Sequence, residues 1–395
     1  MLCYEGAALG MELIMRIRAD KQILLDAVVP AQGFTSNRST IAVVEGILFR
    51  TLDDKTCQIC AYDLEKGFTT QIGCIVEEQG NYAVNAARLV QIIKSMPNGI
   101  ITLEINEKNL RVIVTGGRSK MEMTALPGDK FPDFPNFNSE KSFSITQKEL
   151  KSIINKTKFA IAVNHTRPEL NGLYFHLSNG ELNVVSCDGN RLAVYTDVNG
   201  PKGTEEQPLS FSVIIPGKTI LEILRFIGDS DRQVKINVAR KHVIFFIGEY
   251  TIFTRIIEAT YIDYKRFIPV QPKTFIELDA GEFTSSLERA MFITEDRQQG
   301  QTKPAVICNF SDSVLKVHAY SVIGRVDDEI PIEQDGEAIE IAFNCRFLYE
   351  AMQACDTERT KISLTSGLMG MTIEPVMDKD GKSLLILVLP VRLPK

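Results

Sequence analysis

The stretch NHTRPELNGLYFHLSNGELNVVSCDGNRLAVYT, from Asn164 to Thr196, carries the clearest structural pattern in the chain. Leu173, Phe175 and Leu177 recur at every second position, and this period is typical of a strand with one buried face. Turn residues follow at 178–180 and again at 188–190, between further apolar runs. The stretch therefore predicts three antiparallel strands joined by two tight polar turns.

Helix starts recur along the chain at a regular distance. Asp20, Thr146 and Asp279 each precede an apolar helical pattern, and Thr146 forms a capping box with Glu149. The repeat of about 130 residues is that of a whole domain and not of a short solenoid unit.

A second helix is predicted on the same period, starting at Asn85, Pro216 and Asn344. Apolar residues four apart on each of these segments indicate one buried helix face. Alternating stretches that predict strands lie at 40–84, 99–126, 170–215, 233–259, 304–343 and 361–391. Each third of the chain therefore reads as an internally duplicated βαβββ unit, and the predicted fold class is α+β.

Proline and polar residues cluster at 128–142 and 266–275, and such clusters mark boundaries. Three domains of ordinary size follow from these two boundaries. The expected divisions are an N-terminal extension over 1–12 and domains over 13–141, 142–272 and 273–395.

Composition limits the classes of function. Hydrophobic residues make up 44% of the chain and charged residues 24%, which is ordinary for a globular protein. No run of about 18 apolar residues predicts a membrane span, and the scattered cysteines suit a reducing, cytoplasmic setting. A protein that grips DNA by its whole surface would be basic. At a net charge of −6, a chain that binds DNA would need either positive charge concentrated on one face or a topological hold, and composition does not choose between the two.

No catalytic or metal-binding pattern emerges from the sequence. Cys57 and Cys60 form a single C-x-x-C in a strand-like run with no second pair, so we interpret them as structural thiols. The segment VTGGRSK at 114–120 is not a phosphate-binding loop. The histidines lie apart from one another at 165, 176, 242 and 318. We therefore expect a protein without enzymatic activity, cofactor or metal.

Three segments carry a family resemblance. RPELNGLYF (167–175) followed by CDGNRLAV (187–194), together with the terminal LPVRL (389–393), resembles bacterial β sliding clamps, the processivity rings of DNA replication. The family pattern is R-x-x-L-N-G and then T-D-G-H-R-L-A, so this chain departs from it at Cys187 and Asn190. The resemblance runs from about residue 15 to the C-terminus. It implies a head-to-tail homodimeric ring of six like domains around double-stranded DNA.

The resemblance also implies a pocket beside the C-terminal tail. In the family it receives short linear motifs from the replicative DNA polymerase, the clamp loader and repair proteins. Ile262 stands where the family has a proline, Phe267 replaces a smaller aliphatic residue and Asn190 a histidine, so we expect a differently shaped floor. The matched positions are Arg167, Leu170, Cys187, Gly189, Asn190, Arg191, Leu192, Ile262, Arg266, Phe267, Asn344, Leu368, Leu387, Val388, Leu389, Pro390, Val391 and Arg392.

Leu384 to Leu389 read as a buried edge strand, and Pro390 marks its end because proline cannot donate to a strand ladder.

By the same resemblance the helices line a central hole and face phosphate through water, without reading bases. Taken alone, the basic residues on these helices would indicate only a solvated helix face. The expected DNA-contacting residues are Arg38, Lys148, Lys151, Asn164, His165 and Lys218.

Ring closure requires a contact between unlike ends of two subunits. The resemblance places Met121 and Met123 of one subunit against Phe292 and Ile293 of the other. The alternative is that all four are ordinary core residues.

Two other functions stay open at this point. A non-encircling DNA-binding scaffold would bind linear and circular duplex alike. An enzyme with three α+β domains and an unrecognised site would show turnover that is lost on substitution in one pocket.

Overall fold

The computed structural model describes residues 13–36, 39–137, 141–202, 209–294, 305–376 and 380–392. Six α-helices lie within these residues. They are α1 (Lys21–Ala31), α2 (Ala86–Ser95), α3 (Gln147–Thr157), α4 (Gly217–Ile223), α5 (Ala280–Thr294) and α6 (Cys345–Cys355). None of these helices is long and apolar enough to cross a membrane.

The strands follow one order in each third of the chain. The first third contains β1 (Leu13–Asp20), β2 (Gly46–Thr51), β3 (Thr56–Tyr62), β4 (Lys66–Gly73), β5 (Ile75–Glu78), β6 (Asn81–Asn85), β7 (Ile100–Asn106), β8 (Arg111–Gly116) and β9 (Ser119–Pro127). The second contains β10 (Lys141–Thr146), β11 (Gly172–Ser178), β12 (Glu181–Cys187), β13 (Arg191–Asp197), β14 (Phe211–Pro216), β15 (Gln233–Val238), β16 (His242–Ile247) and β17 (Tyr250–Arg255). The third contains β18 (Thr274–Asp279), β19 (Val306–Ser311), β20 (Val314–Ser321), β21 (Gly324–Asp335), β22 (Ile339–Phe343), β23 (Arg359–Leu364), β24 (Met371–Pro375) and β25 (Lys382–Val388). The duplicated βαβββ unit and the α+β class are confirmed, with the short β5 as an addition in the first third.

The helices begin where the sequence predicts. The Asp20 carboxylate accepts from a backbone N–H of α1 at 2.8 Å, and the Thr146 hydroxyl accepts from the N–H of Glu149 at 3.1 Å. Asn85 and Asn344 cap α2 and α6 in the same way. Such caps satisfy N–H groups that have no partner inside the helix, which is why short polar residues fix these starts.

The stretch from Asn164 to Thr196 folds as the predicted meander of β11, β12 and β13. Leu173, Phe175 and Leu177 are buried. Asn179 and Gly180, in the first turn, have φ of 53° and 78°, as a tight hairpin turn requires.

Backbone contacts divide the chain into two compact units. The first unit contains residues 1–142 and 234–255, and the second contains residues 143–233 and 256–395. The central third is therefore shared between the units: β16, β17 and nearly all of β15 belong to the first, and α3, α4 and β11–β14 to the second.

In the first unit, β17 adds antiparallel to β4 and so extends the sheet of the first third. Phe253 lies opposite Gly67 in this pairing. Its ring occupies the space above the glycine, where a Cβ would lie 2.1 Å from the ring Cζ. The same ring contacts Tyr62 and Phe134, with centroids 5.2 Å and 4.9 Å away. The glycine therefore permits an aromatic cluster that fastens β17 to β4.

In the second unit, β13 pairs antiparallel with β25 from Arg191 opposite Val388 to Asp197 opposite Lys382. The sheet runs in the order β14-β11-β12-β13-β25-β24-β23-β18-β21-β20-β19-β22. The prediction of an edge strand at 384–389 is therefore wrong. β25 is an interior strand because β13 pairs with its otherwise free edge, and it ends at Val388, before the exposed Leu389.

Replacing Gly67 by alanine should lower the free energy of unfolding by about 1–3 kcal/mol, because the methyl group would overlap the Phe253 ring. Gly73, at the end of the same strand, has open space where a Cβ would stand, so Gly73→Ala is the matched control. Thermal unfolding followed by calorimetry measures both variants. Equal unfolding midpoints for the two would contradict the packing of Phe253 on Gly67.

Candidate partner pocket and nucleic-acid surface

A buried apolar cluster forms beside the β13–β25 pairing. Leu170, Cys187, Leu192 and Leu387 are buried in it, and the partly buried Ile262 packs against it. Leu192 lies directly opposite Leu387 across the two strands. The structure thus brings together five residues that were expected to line a pocket, from distant parts of the chain.

The turn between β12 and β13 fixes the tail that follows β25. The Asp188 carboxylate accepts from the backbone N–H groups of Asn190 and Arg191, at 2.9 Å and 3.0 Å. Gly189 has a φ of 91°, which a glycine adopts without strain. The Asn190 carbonyl then accepts from the N–H of Leu389 at 2.8 Å.

Arg191 is buried, with 8% of its surface exposed. Its guanidinium donates to Asp188 at 3.0 Å and to Glu350 of α6 at 2.6 Å. The rings of Phe159 and Phe347 lie 5.2 Å and 4.5 Å from its central carbon. Neighbouring side chains of a strand point to opposite faces, so Arg191 lies on the face opposite Leu192. It bears on the pocket by positioning the strand and not by lining the apolar cluster.

The tail leaves β25 with apolar side chains exposed. Leu389 and Val391 are both exposed, on either side of Pro390. The N–H of Val391 donates to the carbonyl of Ala342, at the end of β22, at 2.8 Å. Asn344, which caps α6, follows two residues later.

Four of the residues expected at the pocket, which we call the rim residues, are exposed: Arg266, Phe267, Leu368 and Arg392. Leu368, in the turn between β23 and β24, is 82% exposed, and Phe267 is 59% exposed. Arg266 forms an exposed ion pair with Asp263 at 2.7 Å. Arg392 is exposed as well. Arg266, Phe267 and Arg392 remain expected rim residues.

The loop before β11 is held by a side-chain amide. Asn171 accepts from the N–H of His165 at 2.7 Å and donates to its carbonyl at 2.9 Å. Asn164 precedes it with a φ of 54°. Arg167 bonds Glu169 at 2.9 Å, and a backbone N–H together with this guanidinium holds the pKa of the Glu169 carboxyl below its usual value. Arg167 thus carries a partly neutralised charge at the entrance to the loop.

Burial disfavours the thiolate form of Cys57, Cys60 and Cys187. Burial raises the pKa of Cys187, although the N–H of Gly189 donates to its sulfur at 3.4 Å. Burial likewise raises the pKa of Cys57, and that of Cys60 to about 11. Among the residues that the structure describes, no three His, Cys, Asp or Glu side chains are grouped to hold a metal ion.

The expected DNA-contacting lysines lie on helices of the second unit. Lys148 is exposed on α3 and Lys218 on α4. Lys151 of α3 donates to Asp229 at 2.7 Å. α4 begins after Pro216, as predicted, and ends at Ile223. Arg38 lies outside the described residues.

The four expected interface residues are not core residues. Phe292 is 73% exposed at the end of α5, and Met121 is exposed on β9. Met123 and Ile293 are partly exposed. The alternative interpretation of these residues as core is therefore wrong.

An exposed apolar hairpin that the sequence pattern does not predict lies next to Ile293. Tyr320 is 75% exposed, and Val322 and Ile323, in the turn between β20 and β21, are exposed too. A Cβ on Gly324 would lie 3.6 Å from the Ile293 Cδ1, so the hairpin adjoins α5. The run YSVIG reads as a core strand in sequence, and only its turn position reveals the exposure.

Comparison with known proteins matches the chain in three successive segments. Three family models match in succession: the N-terminal domain of the DNA polymerase III beta subunit at 15–135, its central domain at 144–263 and its C-terminal domain at 265–391. The beta sliding clamp of Escherichia coli (strain K12) is 25% identical over 96% of this chain and all of its own length.

Solved structures agree with this match. The DNA polymerase III subunit beta from Pseudomonas aeruginosa is 25% identical and superposes with a TM-score of 0.84, over 96% of this chain and all of that one. A DNA polymerase sliding clamp from Bacillus subtilis, 24% identical over the same shares, has a TM-score of 0.88 and shows the same fold. Because the family models cover nearly the whole chain, this chain belongs to the DNA polymerase III beta subunit family.

Proposed function

We propose that the chain is a sliding clamp, which encircles duplex DNA as a head-to-tail homodimer and tethers the replicative DNA polymerase. The observation that carries the proposal is the succession of three matching domains, each with its helix pair and sheet, along the chain. Its domains are 13–141, 142–272 and 273–395, after an N-terminal extension over 1–12. The role is binding without catalysis, in the cytoplasm.

Encirclement would explain how an acidic chain can stay on DNA. The net charge of −6 opposes tight adhesion to phosphate. A closed ring needs little adhesion because the duplex cannot leave it sideways. A polymerase bound to the ring is kept at a high effective concentration near the primer end.

The buried cluster and its rim suit a peptide partner. We place the exposed Leu368, Phe267, Leu389 and Val391 at the rim of the buried cluster, and such an apolar surface would fit a short motif with leucine and phenylalanine side chains. Polymerase, clamp loader and repair proteins would share this site in turn. A dissociation constant near the micromolar range, about −8 kcal/mol, would let them exchange.

The apolar end of α5 and the adjoining hairpin suit a subunit contact. Contiguous exposed apolar side chains mark protein interfaces, and Phe292, Tyr320 and Val322 are exposed together on this end of the second unit. Met121, on β9 of the first unit, is the expected counterpart on the neighbouring subunit. Contact between unlike ends closes a ring when the rotation fits. No observation on the described residues favours a non-encircling scaffold.

Leu368→Ser should weaken binding of a synthetic peptide that carries the clamp-binding segment of the replicative polymerase. Loss of one leucine contact of about 1.5 kcal/mol lowers the affinity roughly tenfold. The variant should fold normally because the side chain is exposed. Titration calorimetry measures the affinity. The matched control is Val198→Ser, another exposed apolar residue, just beyond the other end of β13; equal affinities for both variants would contradict the placement of Leu368 at the site.

Phe292→Asp should give monomers, because the substitution places an unpaired charge in an apolar contact. Light scattering after size exclusion reports the mass. Phe275→Asp changes another exposed phenylalanine, on β18, and should leave the dimer intact. A dimeric Phe292→Asp variant, or a monomeric unsubstituted chain, would refute the proposed closure.

A further inference from the structure

We propose that the sheet face around Phe275 is a second contact for partner proteins, continuous with the proposed pocket at Leu192 and Leu387. It takes an apolar side chain that stands next to a lysine or arginine, in the segment that flanks the motif bound at the pocket. This inference rests on the proposed function and extends it from a short motif to the chain beside that motif.

One row of side chains joins the two places. Phe275 of β18 lies directly opposite Ser363 of β23, and Ser363 lies opposite Thr372 of β24. Thr372 lies opposite Leu387 of β25, which in turn lies opposite Leu192 of β13. Residues directly opposite each other in a sheet project from the same face, so all five side chains share one face. With neighbouring strands about 4.8 Å apart, Phe275 lies roughly 15 Å from Leu387.

This face is turned away from the helices. The next residue of each strand, Ile276, Ile362, Ile373 or Ile386, projects from the other face and is buried. On that side α5 packs against β18, and α6 packs against β24 and β25. The helices therefore cover the isoleucine face, and Phe275, on the opposite face, is 49% exposed.

Phe275 lines a groove of about 450 Å³ together with residues of β21, β23 and β24. Asp335 of β21 and Ser363 of β23 stand on either side of it in the sheet. An apolar side chain laid against the phenylalanine ring would remove surface of both from water. The groove is thus suited to one apolar side chain of a passing peptide.

The turn that joins β23 to β24 lies along the path from the pocket to this groove. Leu368, in this turn, is 82% exposed, and Met369 is 45% exposed. A Cβ on Gly370 would lie 2.6 Å from the Leu387 Cδ1, so the turn packs against the pocket strand. A peptide that leaves the pocket along this turn therefore stays on apolar surface. About five residues in extended conformation span the distance to Phe275.

Most charges of the groove have a counterpart. Arg359 pairs with the carboxylates of Glu277 and Glu333, at 2.7 Å each. Lys361 lies directly opposite Glu374 on the neighbouring strand. These charges keep the groove wet at one end and leave little net attraction for a ligand there.

Asp335 is the exception, and it stands directly opposite Phe275. No lysine, arginine or histidine nitrogen lies within 4.0 Å of its carboxylate among the residues that the structure describes. A lysine or arginine next to the bound apolar side chain would pair with this carboxylate, and an acidic residue there would be repelled. The groove therefore selects partner segments by the charge beside their apolar residue.

The test measures the affinity of synthetic peptides by titration calorimetry with the full-length chain. One peptide carries the clamp-binding segment of the replicative polymerase alone. Two others extend it, at the N-terminal or the C-terminal end, by about six residues: a glycine-serine stretch that finishes in phenylalanine and lysine. At least one extended peptide should bind roughly fivefold to tenfold more tightly than the segment alone, as expected for one further apolar contact.

Phe275→Ser should abolish this gain and leave the affinity for the unextended segment unchanged, because the side chain is exposed and lies outside the pocket. The matched control is Val198→Ser, a residue of similar exposure just beyond the other end of β13, which should keep the gain. Asp335→Asn should remove the preference for lysine over glutamate at the last position of the extension.

Two results would overturn the inference and leave the pocket standing: no gain from either extension, or a gain that Phe275→Ser does not reduce. Equal affinities for the lysine and glutamate forms on the unsubstituted chain would overturn the selection by charge. If the unextended segment does not bind, the proposed pocket fails and this inference fails with it. Ring closure is measured separately, by retention on a nicked circular plasmid after enzymatic loading.

Discussion

The buried guanidinium of Arg191 is the contact on which the second unit depends. It lies at the start of β13, where that strand meets the end of β25, and it bonds Asp188 and Glu350 between two phenylalanine rings. A charge taken out of water must find partners with good geometry, and removing one partner of such a pair typically costs about 3–5 kcal/mol. The strand pairing and the position of α6 are therefore coupled through a single side chain. A second ion pair, from Lys382 to Glu149 at 2.7 Å, fastens β25 to α3 near the other end of the pairing.

This contact lies between two surfaces of the second unit, the apolar cluster and a groove between α3 and α6. On one face of β13, Leu192 joins the apolar cluster beside the tail. On the other, Arg191 reaches Phe159 and Glu350, which also line the groove between α3 and α6. The proposed peptide site and this groove thus lie on opposite faces of one strand, so a peptide bound at the first would not contact side chains of the second.

The features that could be predicted from the sequence are local ones. Helix caps such as Asp20 and Thr146 and the alternation of β11 follow from contacts within a few residues, so the pattern of residues reports them directly. The pairings of β13 with β25 and of β17 with β4 join segments far apart in the chain, and no periodicity encodes them. For this reason the sequence pattern wrongly predicts a sheet edge at 384–389, and it does not predict the ion pair between Arg191 and Glu350. The exposed hairpin at 320–323 is not predicted, because an apolar run in sequence indicates a buried segment whether or not it is buried.

In the proposed clamp, the hold on DNA comes from closure of a ring and not from adhesion. The most direct measurement is retention of the chain on a nicked circular plasmid after enzymatic loading, before and after one cut linearises the plasmid. A closed ring should stay bound to the circle at moderate salt and be released once the plasmid is cut. Equal retention on circular and linear DNA, or no retention on the circle after loading, would contradict it.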